Sequence, residues 1–418
     1  MKEEKEHKWQ FYVIFTIIGM QFYDSFSSEL YSRLQSLYLT EYLVDGYGMT
    51  SDRAVACLNN SMLPCYLFIM LAPVFRALAD RYGRRKLLIA NVIGIGLGVG
   101  ICAKAPSFIV FMLGNMILNF SDTLDVQNFY ILEEIPKKRQ GLMKGISIGG
   151  SMLAAVSISA LRRYFVGTGT YGWRNLYTIA MAFGMVMLVW VLGMPESRAF
   201  QITRQEIDQS EKQKSHGQNL KKIWNRYGTL WFENKPDLVL ILLFGVATAG
   251  VMFYNEPMLI FGGVKETDVE WILAIQAITS CIVMTAGGWF ADWYGKRKAA
   301  FGLLVAAMVG AVVFIGMSGL IRVSGIVGFA FGCMTGGFWG AYYLLELNLL
   351  ERMDVTWRGE GSAVLTYIYG VGNAIGILLC TALLQLLSLV WMKLILTLPV
   401  LVMGNLLLRR GKREGTIY

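Results

Sequence analysis

Apolar runs recur along the chain near 9–32, 54–76, 87–105, 107–132, 142–165 and 174–194, then again near 238–262, 269–291, 299–319, 324–349, 361–386 and 390–408. Each is about 20 residues long, the length an α-helix needs to cross a hydrocarbon layer. Strict alternation is absent from these runs, so the pattern predicts helices rather than strands. The expected fold class is an all-α integral membrane protein of twelve transmembrane helices. It divides into an N-terminal six-helix bundle (1–194), a polar connector (195–237) and a C-terminal six-helix bundle (238–418). Within the connector, Leu220, Ile223, Trp224, Tyr227, Leu230 and Trp231 recur at helical spacing with Lys221, Lys222 and Arg226 between them. That spacing predicts a helix lying in the membrane interface; a solvated linker is the alternative.

Composition agrees with the pattern. Hydrophobic residues make up 55% and charged residues only 16% of the 418, which excludes a soluble enzyme, a disordered chain and a disulfide scaffold. A net charge of +9 raises the question of nucleic acid, but its distribution answers it. The segments 1–8, 76–86, 137–144, 198–235, 296–298, 352–358 and 409–413 hold 29 of the 38 Lys and Arg, and all fall on one side of a twelve-span chain. By the positive-inside rule both termini are then cytoplasmic, in a multi-pass protein expected at the plasma membrane, without a nucleic-acid partner. No small-residue cleavage site follows the first run, so no cleavable signal peptide is expected. Cys57, Cys65, Cys102, Cys281, Cys333 and Cys380 form no C-x-x-C pair, and His7 and His216 are the only histidines. Neither a metal site nor a cofactor is expected.

The chain carries an internal repeat. Residues 79–86 read Ala-Asp-Arg-Tyr-Gly-Arg-Arg-Lys and residues 291–298 read Ala-Asp-Trp-Tyr-Gly-Lys-Arg-Lys, at an offset of 212. A weaker echo relates Arg139-Gln140-Gly141 to Trp357-Arg358-Gly359. Duplicated halves of this kind are a transporter architecture, with the solute site between the halves near the bilayer midplane.

These residues resemble the major facilitator superfamily across essentially the whole chain. Its loop motif, G-x-L-A-D-R-x-G-R-[RK], is matched by Leu78, Asp80, Arg81, Gly83, Arg84 and Arg85, with Arg76 in place of the first Gly; the second copy has Gly288, Asp292, Gly295 and Arg297. Phe22-Tyr23-Asp24, Gly172-Trp173-Arg174, Pro195-Glu196-Ser197-Arg198 and the stretch 253–257 resemble sugar-porter motifs, as does Glu351 seven residues before Arg358. In the first half Glu133, Pro136 and Gly141 match, while Gln140 stands where the family has Arg and Arg139 lies one place early. The resemblance implies a secondary transporter whose cytoplasmic gate includes Asp80, Gly83, Arg84, Arg85, Glu133, Arg139, Asp292, Gly295, Arg297, Glu351 and Arg358. A purely topological role for these cations is the alternative. Leu243 and Phe244 occupy the span-seven positions of the branch's hydroxyl-binding glutamines, and 142–161 contains no Gln or Asn. A classical sugar is therefore in doubt. The drug-antiporter signature of span five is missing too, since no Pro occurs between Gly141 and Phe165.

Ionisable groups inside spans cost roughly 2.5–3.5 kcal/mol each and are functional candidates by default. The first span offers Asp24, Glu29 and Arg33. Glu29 and Arg33, four apart, are placed to pair. Asp24 is the first candidate for a carboxyl that takes up and releases a proton, a role the resemblance also gives it; a place in the outer interface is the alternative. Asp122 and Asp125 share a face of span four, beside Asn119, Gln127 and Asn128. They are a second proton-coupling candidate or else a polar face paired with cations elsewhere. Tyr254, Asn255, Gln276, Trp339, Tyr342, Tyr343, Asn348, Tyr367 and Asn373 are candidates to line a pocket for a partly apolar ligand, or to anchor the interface. Charge at membrane depth is acidic, with Arg33 the one clear cation, which favours a neutral or cationic solute. The expected activity is proton-coupled symport of a small organic solute by a monomer. Proton-driven efflux of a drug or metabolite and a non-transporting solute sensor are its rivals. The glycine series 141/145/149 and 332/336/340 predict close helix packing.

Overall fold

The computed structural model describes residues 2–414 apart from 51–52, 55–56, 59–60, 62–63, 66–67, 125, 166–171, 203–216, 253, 256–257, 260–263, 317–323 and 354. Side chains at 2–10, 36, 163, 217–233, 266–267 and 409–414 are outside the description as well. The long helices are α1 (Lys2–Arg33), α2 (Arg84–Lys104), α3 (Phe108–Asp122), α4 (Gln127–Glu134), α5 (Gln140–Phe165), α6 (Arg174–Leu192), α7 (Gly217–Met252), α8 (Glu266–Tyr294), α9 (Lys296–Gly316), α10 (Ser324–Glu351), α11 (Arg358–Leu386) and α12 (Leu389–Glu414). No strand occurs among the described residues. Nine helical segments among them are long and apolar enough to cross a membrane. Eight residues of the predicted second span, 54–76, lie outside the described residues, as do the side chains of the connector's apolar series.

Two compact units are present. The first comprises Met1–Glu134 and Gly150–Ser197, the second Ile135–Gly149 and Arg198–Tyr418. In the first, α2 packs against α3 and α6, and α1 against α6. In the second, α10 packs against α8 and α9, and α7 against α11 and α12. Small residues set these crossings. A Cβ on Gly98 of α2 would lie 2.6 Å from the Leu118 backbone nitrogen, and one on Gly310 of α9 would lie 2.5 Å from the Ala330 carbonyl oxygen. The two glycines are 212 residues apart, so the repeat extends from the loop motif into helix packing. The glycine stripes are used the same way. Gly141, Gly145 and Gly149 of α5 approach α8 at Gly288, Met284 and Thr285, and Gly332 and Gly336 of α10 approach α8 at Thr279 and Ser280. Helix α8 therefore runs against a glycine seam on two sides.

Sequence and structure differ at three boundaries. Helix α1 begins at Lys2, well before the apolar run. The connector's last part is helical and continues into span seven as α7, with a kink at Asn234 (φ −116°, ψ 17°) two residues before Pro236. The proline removes one backbone donor and crowds the preceding turn. Third, span four is not continuous: α3 ends at Asp122 and α4 starts at Gln127. The cause is local competition for carbonyls. Asn119, Ser121 and Thr123 all hydrogen-bond back to carbonyls one turn earlier, at 2.8, 2.9 and 2.7 Å, which weakens helix propagation. At the break the buried Arg76 donates Nε–H to the Leu124 carbonyl at 2.9 Å.

Candidate functional site

The acid in α1 is enclosed. Asp24 is 1% exposed, and its Oδ2 accepts a hydrogen bond from Gln127 Nε2 at 2.8 Å. Gln127 is the first residue of α4, so the break in span four sets where this amide points. Gln127 also reaches Gln21 Oε1 at 3.5 Å. The Glu29–Arg33 pair forms at 3.3 Å, and Arg33 Nη1 donates to Ser159 Oγ at 3.1 Å. Ser159 of α5 thus adds a third member to that pair, while the Gln127 amide on Asp24 can serve either protonation state. Asp125 lies outside the described residues. Asp122 ends α3. Asn128 is buried, and Asn119 turns back on Asn115.

In the second unit, rings from three helices meet. Trp339 stacks on Tyr343 (5.7 Å, 29°) and meets Tyr342 at 5.8 Å and Tyr369 at 6.2 Å. Tyr342 contacts Tyr369 at 5.0 Å and Phe244 at 5.8 Å. Helix period explains the grouping: 339, 342 and 343 are three and four apart on α10. Tyr369, whose hydroxyl is 2.9 Å from Thr248 Oγ1, joins the cluster, and the predicted Tyr367 does not figure among its ring contacts. Both tyrosines sit on α11 two residues apart, and sequence alone does not phase the helix finely enough to choose. Gln276 is spent inside the unit, donating to Thr335 Oγ1 (2.9 Å) and Ser280 Oγ (3.3 Å). Asn255 bonds the Val251 and Met252 carbonyls of its own turn. Tyr254 is partly exposed with φ 59°, and Asn348, Tyr367 and Asn373 are half-buried.

Sequence reasoning missed two cations. Lys144 of α5 is 1% exposed and Lys393 of α12 is 0% exposed. Lys144 Nζ lies 4.4 Å from the centroid of the Tyr343 ring. Each sits about one turn inside the end of its predicted span, which a sequence reading takes for interface. Both add to Arg33, the one cation counted in the sequence reading of charge at membrane depth, and they narrow its acidic excess.

The two loop motifs adopt one backbone form. Gly83 (φ 100°) and Gly295 (φ 92°) both take a conformation that disfavours any side chain, and each donates its N–H to the alanine four residues earlier. In the first unit Arg84 is fully buried, 3.0 Å from Glu133 and 3.2 Å from Asp80. Ser197 Oγ donates to Glu133, and Glu196 accepts the backbone N–H groups of Arg84 and Arg85. In the second unit Lys296 pairs with Glu351, and Arg297 with Asp237 at 3.2 Å. Asp292 there accepts the N–H groups of Gly141 and Leu142, both at 2.7 Å, capping the start of α5. Gln140 and Arg358, the second echo of the repeat, also do one job. Gln140 Nε2 donates to the Ile135 carbonyl at 3.0 Å and Arg358 Nη2 to the Met353 carbonyl at 3.2 Å, each five residues back. Arg139 is exposed in the 3-10 turn Lys137–Arg139.

Outside the predicted spans, Glu41 holds Arg174 (2.5 Å) and Trp173 (2.6 Å). Tyr42 donates to the Ala105 carbonyl at 2.8 Å, and burial pushes its phenol up to about 12.

The fold and these motifs have known counterparts. A structure described as the proton:xylose symporter XylE superposes with a TM-score of 0.70, covering 98% of this chain and 96% of that one at 13% identity. The glucose transporter GlcP of Staphylococcus epidermidis is 25% identical over 355 residues, 76% of this chain and 77% of that protein. The uncharacterized MFS-type transporter YfiU of Bacillus subtilis is 30% identical over 118 residues, 28% of this chain. The chain spans about a quarter of the length of the first curated relatives it matches, 23% and 25%. A sequence profile of the Major Facilitator Superfamily matches residues 25–377. With that match, the shared fold and the duplicated loop motifs, the chain belongs to the major facilitator superfamily.

Proposed function

We propose that this protein is a secondary transporter that carries a small organic solute together with protons by alternating access. It has twelve membrane helices in two pseudo-symmetric bundles, 1–194 and 238–418, joined by the connector 195–237. Both termini are cytoplasmic, the membrane is the plasma membrane, and one chain is the working unit.

Asp24 carries this reading: a carboxyl 1% exposed, inside the apolar run of α1 and hydrogen-bonded by the amide of Gln127. Such a group is costly to keep unless it works. The Gln127 amide can donate to the charged carboxyl and accept from the protonated one, so it serves both forms. In the proposed cycle the solute binds better to the protonated form, and only the empty deprotonated or the fully loaded carrier reorients. The name of the XylE structure, a proton:xylose symporter, supports the same reading. The motif pairs around Arg84 and Lys296 act as cytoplasmic latches that form and break in each cycle.

The test is transport into liposomes that hold a pH dye, with sugars, amines, amino acids and organic acids added in turn. A solute-dependent acidification is expected for the wild type. Asp24→Asn is expected to abolish accumulation driven by a pH gradient while preserving solute exchange. Undiminished accumulation in that variant sinks the assignment.

A further inference from the structure

Helix α8 meets α5 on one side and α10 on another, and it leaves one stripe uncovered. Trp271, Ile278, Ile282, Trp289 and Trp293 follow one another at steps of seven and four residues, which a helix brings onto a single face. All five are exposed. Rings gather at the inner end of the stripe, where Trp289 meets Phe290 at 5.1 Å and Trp293 at 5.8 Å. Cations adjoin them. The turn Lys137–Arg139 packs against α8 and leads into Gly141 and Leu142, whose N–H groups Asp292 accepts; Asp292 precedes Trp293 and lies three residues past Trp289. Lys137, Lys138 and Arg139 are exposed, and none of them enters an ion pair among the described residues. The carboxylates about this corner are engaged: Asp292 by those N–H groups, Glu351 by Lys296 and Asp237 by Arg297. Glu134, three residues before the turn, has partners of its own.

The repeat shows that neither ingredient is needed to build the loop. At the 212-residue offset, Ala77, Leu78 and Arg81 stand where Trp289, Phe290 and Trp293 do in the second copy. The basic turn has its counterpart in the 3-10 turn Val355–Trp357, which carries no charge. Of two equivalent corners, one alone has both the tryptophans and the cations.

We propose that this corner of α8 binds an anionic phospholipid of the cytoplasmic leaflet. Its phosphodiester sits on the Lys137–Arg139 turn, its glycerol region beside Trp289 and Trp293, and an acyl chain along Ile282 and Ile278. The proposal rests on the membrane placement in the reading above and not on the transport cycle. Indole rings suit the headgroup level, and clustered cations add attraction for negative lipid. The stripe continues as aliphatic surface toward Trp271, which fits a hydrocarbon chain and does not fit an acidic soluble peptide. A second copy of this chain fits no better, because two copies inserted the same way would bring their basic turns to one depth, like charge against like charge.

Native mass spectrometry of the purified full-length protein in detergent, titrated with phosphatidylglycerol or with phosphatidylcholine of the same chains, counts bound lipid without gradient or solute. A cation near anionic lipid is worth about fivefold in affinity, so wild type is expected to prefer phosphatidylglycerol by about tenfold or more. Lys137→Gln combined with Lys138→Gln is expected to cut that preference by about tenfold. Arg81→Gln combined with Lys86→Gln removes the same charge at the equivalent corner, which lacks the tryptophans, and is expected to leave the preference within about twofold of wild type. Trp289→Ala combined with Trp293→Ala weakens both lipids and keeps their ratio. Equal binding of the two lipids by wild type overturns the proposal. So does an equal loss in the two charge variants, which makes net charge the cause, or undiminished binding in the tryptophan variant, which leaves the rings as ordinary interface anchors. Displacement of the lipid by glycerol phosphate, the headgroup without chains, would mark a site for soluble anions and overturn the lipid assignment. The transporter reading fails separately: lipid bound by a protein that moves no solute keeps this corner and drops the cycle, and solute transport without lipid preference does the reverse.

Discussion

Arg76 donates its Nε–H to the carbonyl of Leu124 at 2.9 Å, supplying the backbone at the break in span four with a partner from another helix. Irregular backbone at membrane depth persists only where side chains satisfy it in this way. Arg76 also occupies the place where the loop motif of the family has glycine, so the departure in one helix matches an interruption in another. Replacing it by methionine leaves a buried carbonyl unpaired, at a cost of about 1–3 kcal/mol. A lower unfolding temperature in detergent is expected, together with a displaced pH profile of solute uptake, since Gln127 begins α4 just beyond the break. An unchanged pH profile means the break does not position the Asp24–Gln127 pair.

The loop glycines make a sharper prediction. Gly83 has φ 100°, ψ 154° and Gly295 has φ 92°, ψ 144°, a region that side-chain-bearing residues avoid at a cost of order 1–3 kcal/mol. Gly83→Ala and Gly295→Ala are each expected to destabilise by that order in thermal unfolding. Gly302 in α9 has open space around its Cβ position, so Gly302→Ala is expected to be neutral or slightly stabilising and serves as the control.

Gly145 tests the seam between α5 and α8. A Cβ there would stand 2.7 Å from the Met284 carbonyl oxygen, an atom of backbone that has no rotamer to move aside. Gly145→Val is expected to reduce uptake by at least about tenfold, because the side chain forces apart two helices that pack backbone to backbone. Wild-type uptake by this variant would show that the helices separate more easily than their packing implies.

The two motif ion pairs predict unequal effects. Arg84 and Glu133 are both fully buried, so Glu133→Gln removes a carboxylate from a buried guanidinium, and a loss on the order of 2 kcal/mol or more is expected. Lys296 and Glu351 are 10% and 26% exposed, where solvent screening holds such a pair near 1 kcal/mol or below. Denaturation of Glu133→Gln and Glu351→Gln side by side distinguishes them; equal losses would show that burial does not set the balance.

Tyr42 predicts an alkaline limit. Its phenol stays neutral in the folded protein up to about 12, whereas an unfolded tyrosine ionises near 10. The stability this group contributes is present in full below pH 10 and is lost as pH rises toward 12. Tyr42→Phe is expected to flatten the alkaline side of the stability curve, and an unaltered slope assigns that limit to other groups.

Much of this architecture was legible in the sequence because it rests on repetition. The apolar period marked most helices, and the 212-residue offset predicted two loops whose glycines share one conformation. Pairing of Glu29 with Arg33 followed from helical spacing. What was not legible depended on contacts between distant segments. The break after Asp122 has a local contribution in Asn119, Ser121 and Thr123, but the partner of its Leu124 carbonyl, Arg76, lies 48 residues away. Tyr369 rather than Tyr367 meets the rings because the rotation of α11 is set by packing on α7. Lys144 read as an interface lysine because burial on α5 depends on α10.

The double glycine seam along α8 has a mechanical consequence. Interlocked side chains resist shear, because moving one helix past another forces a change of rotamers at each step. Along Gly141, Gly145 and Gly149 on one side and Gly332 and Gly336 on the other, α8 has little to interlock with. What holds α8 in register there is instead a few hydrogen bonds, from Gly141 and Leu142 to Asp292 at one end and from Gln276 and Ser280 to α10 at the other, so displacement of α8 along its own axis turns on breaking those few bonds rather than on repacking a wall of side chains.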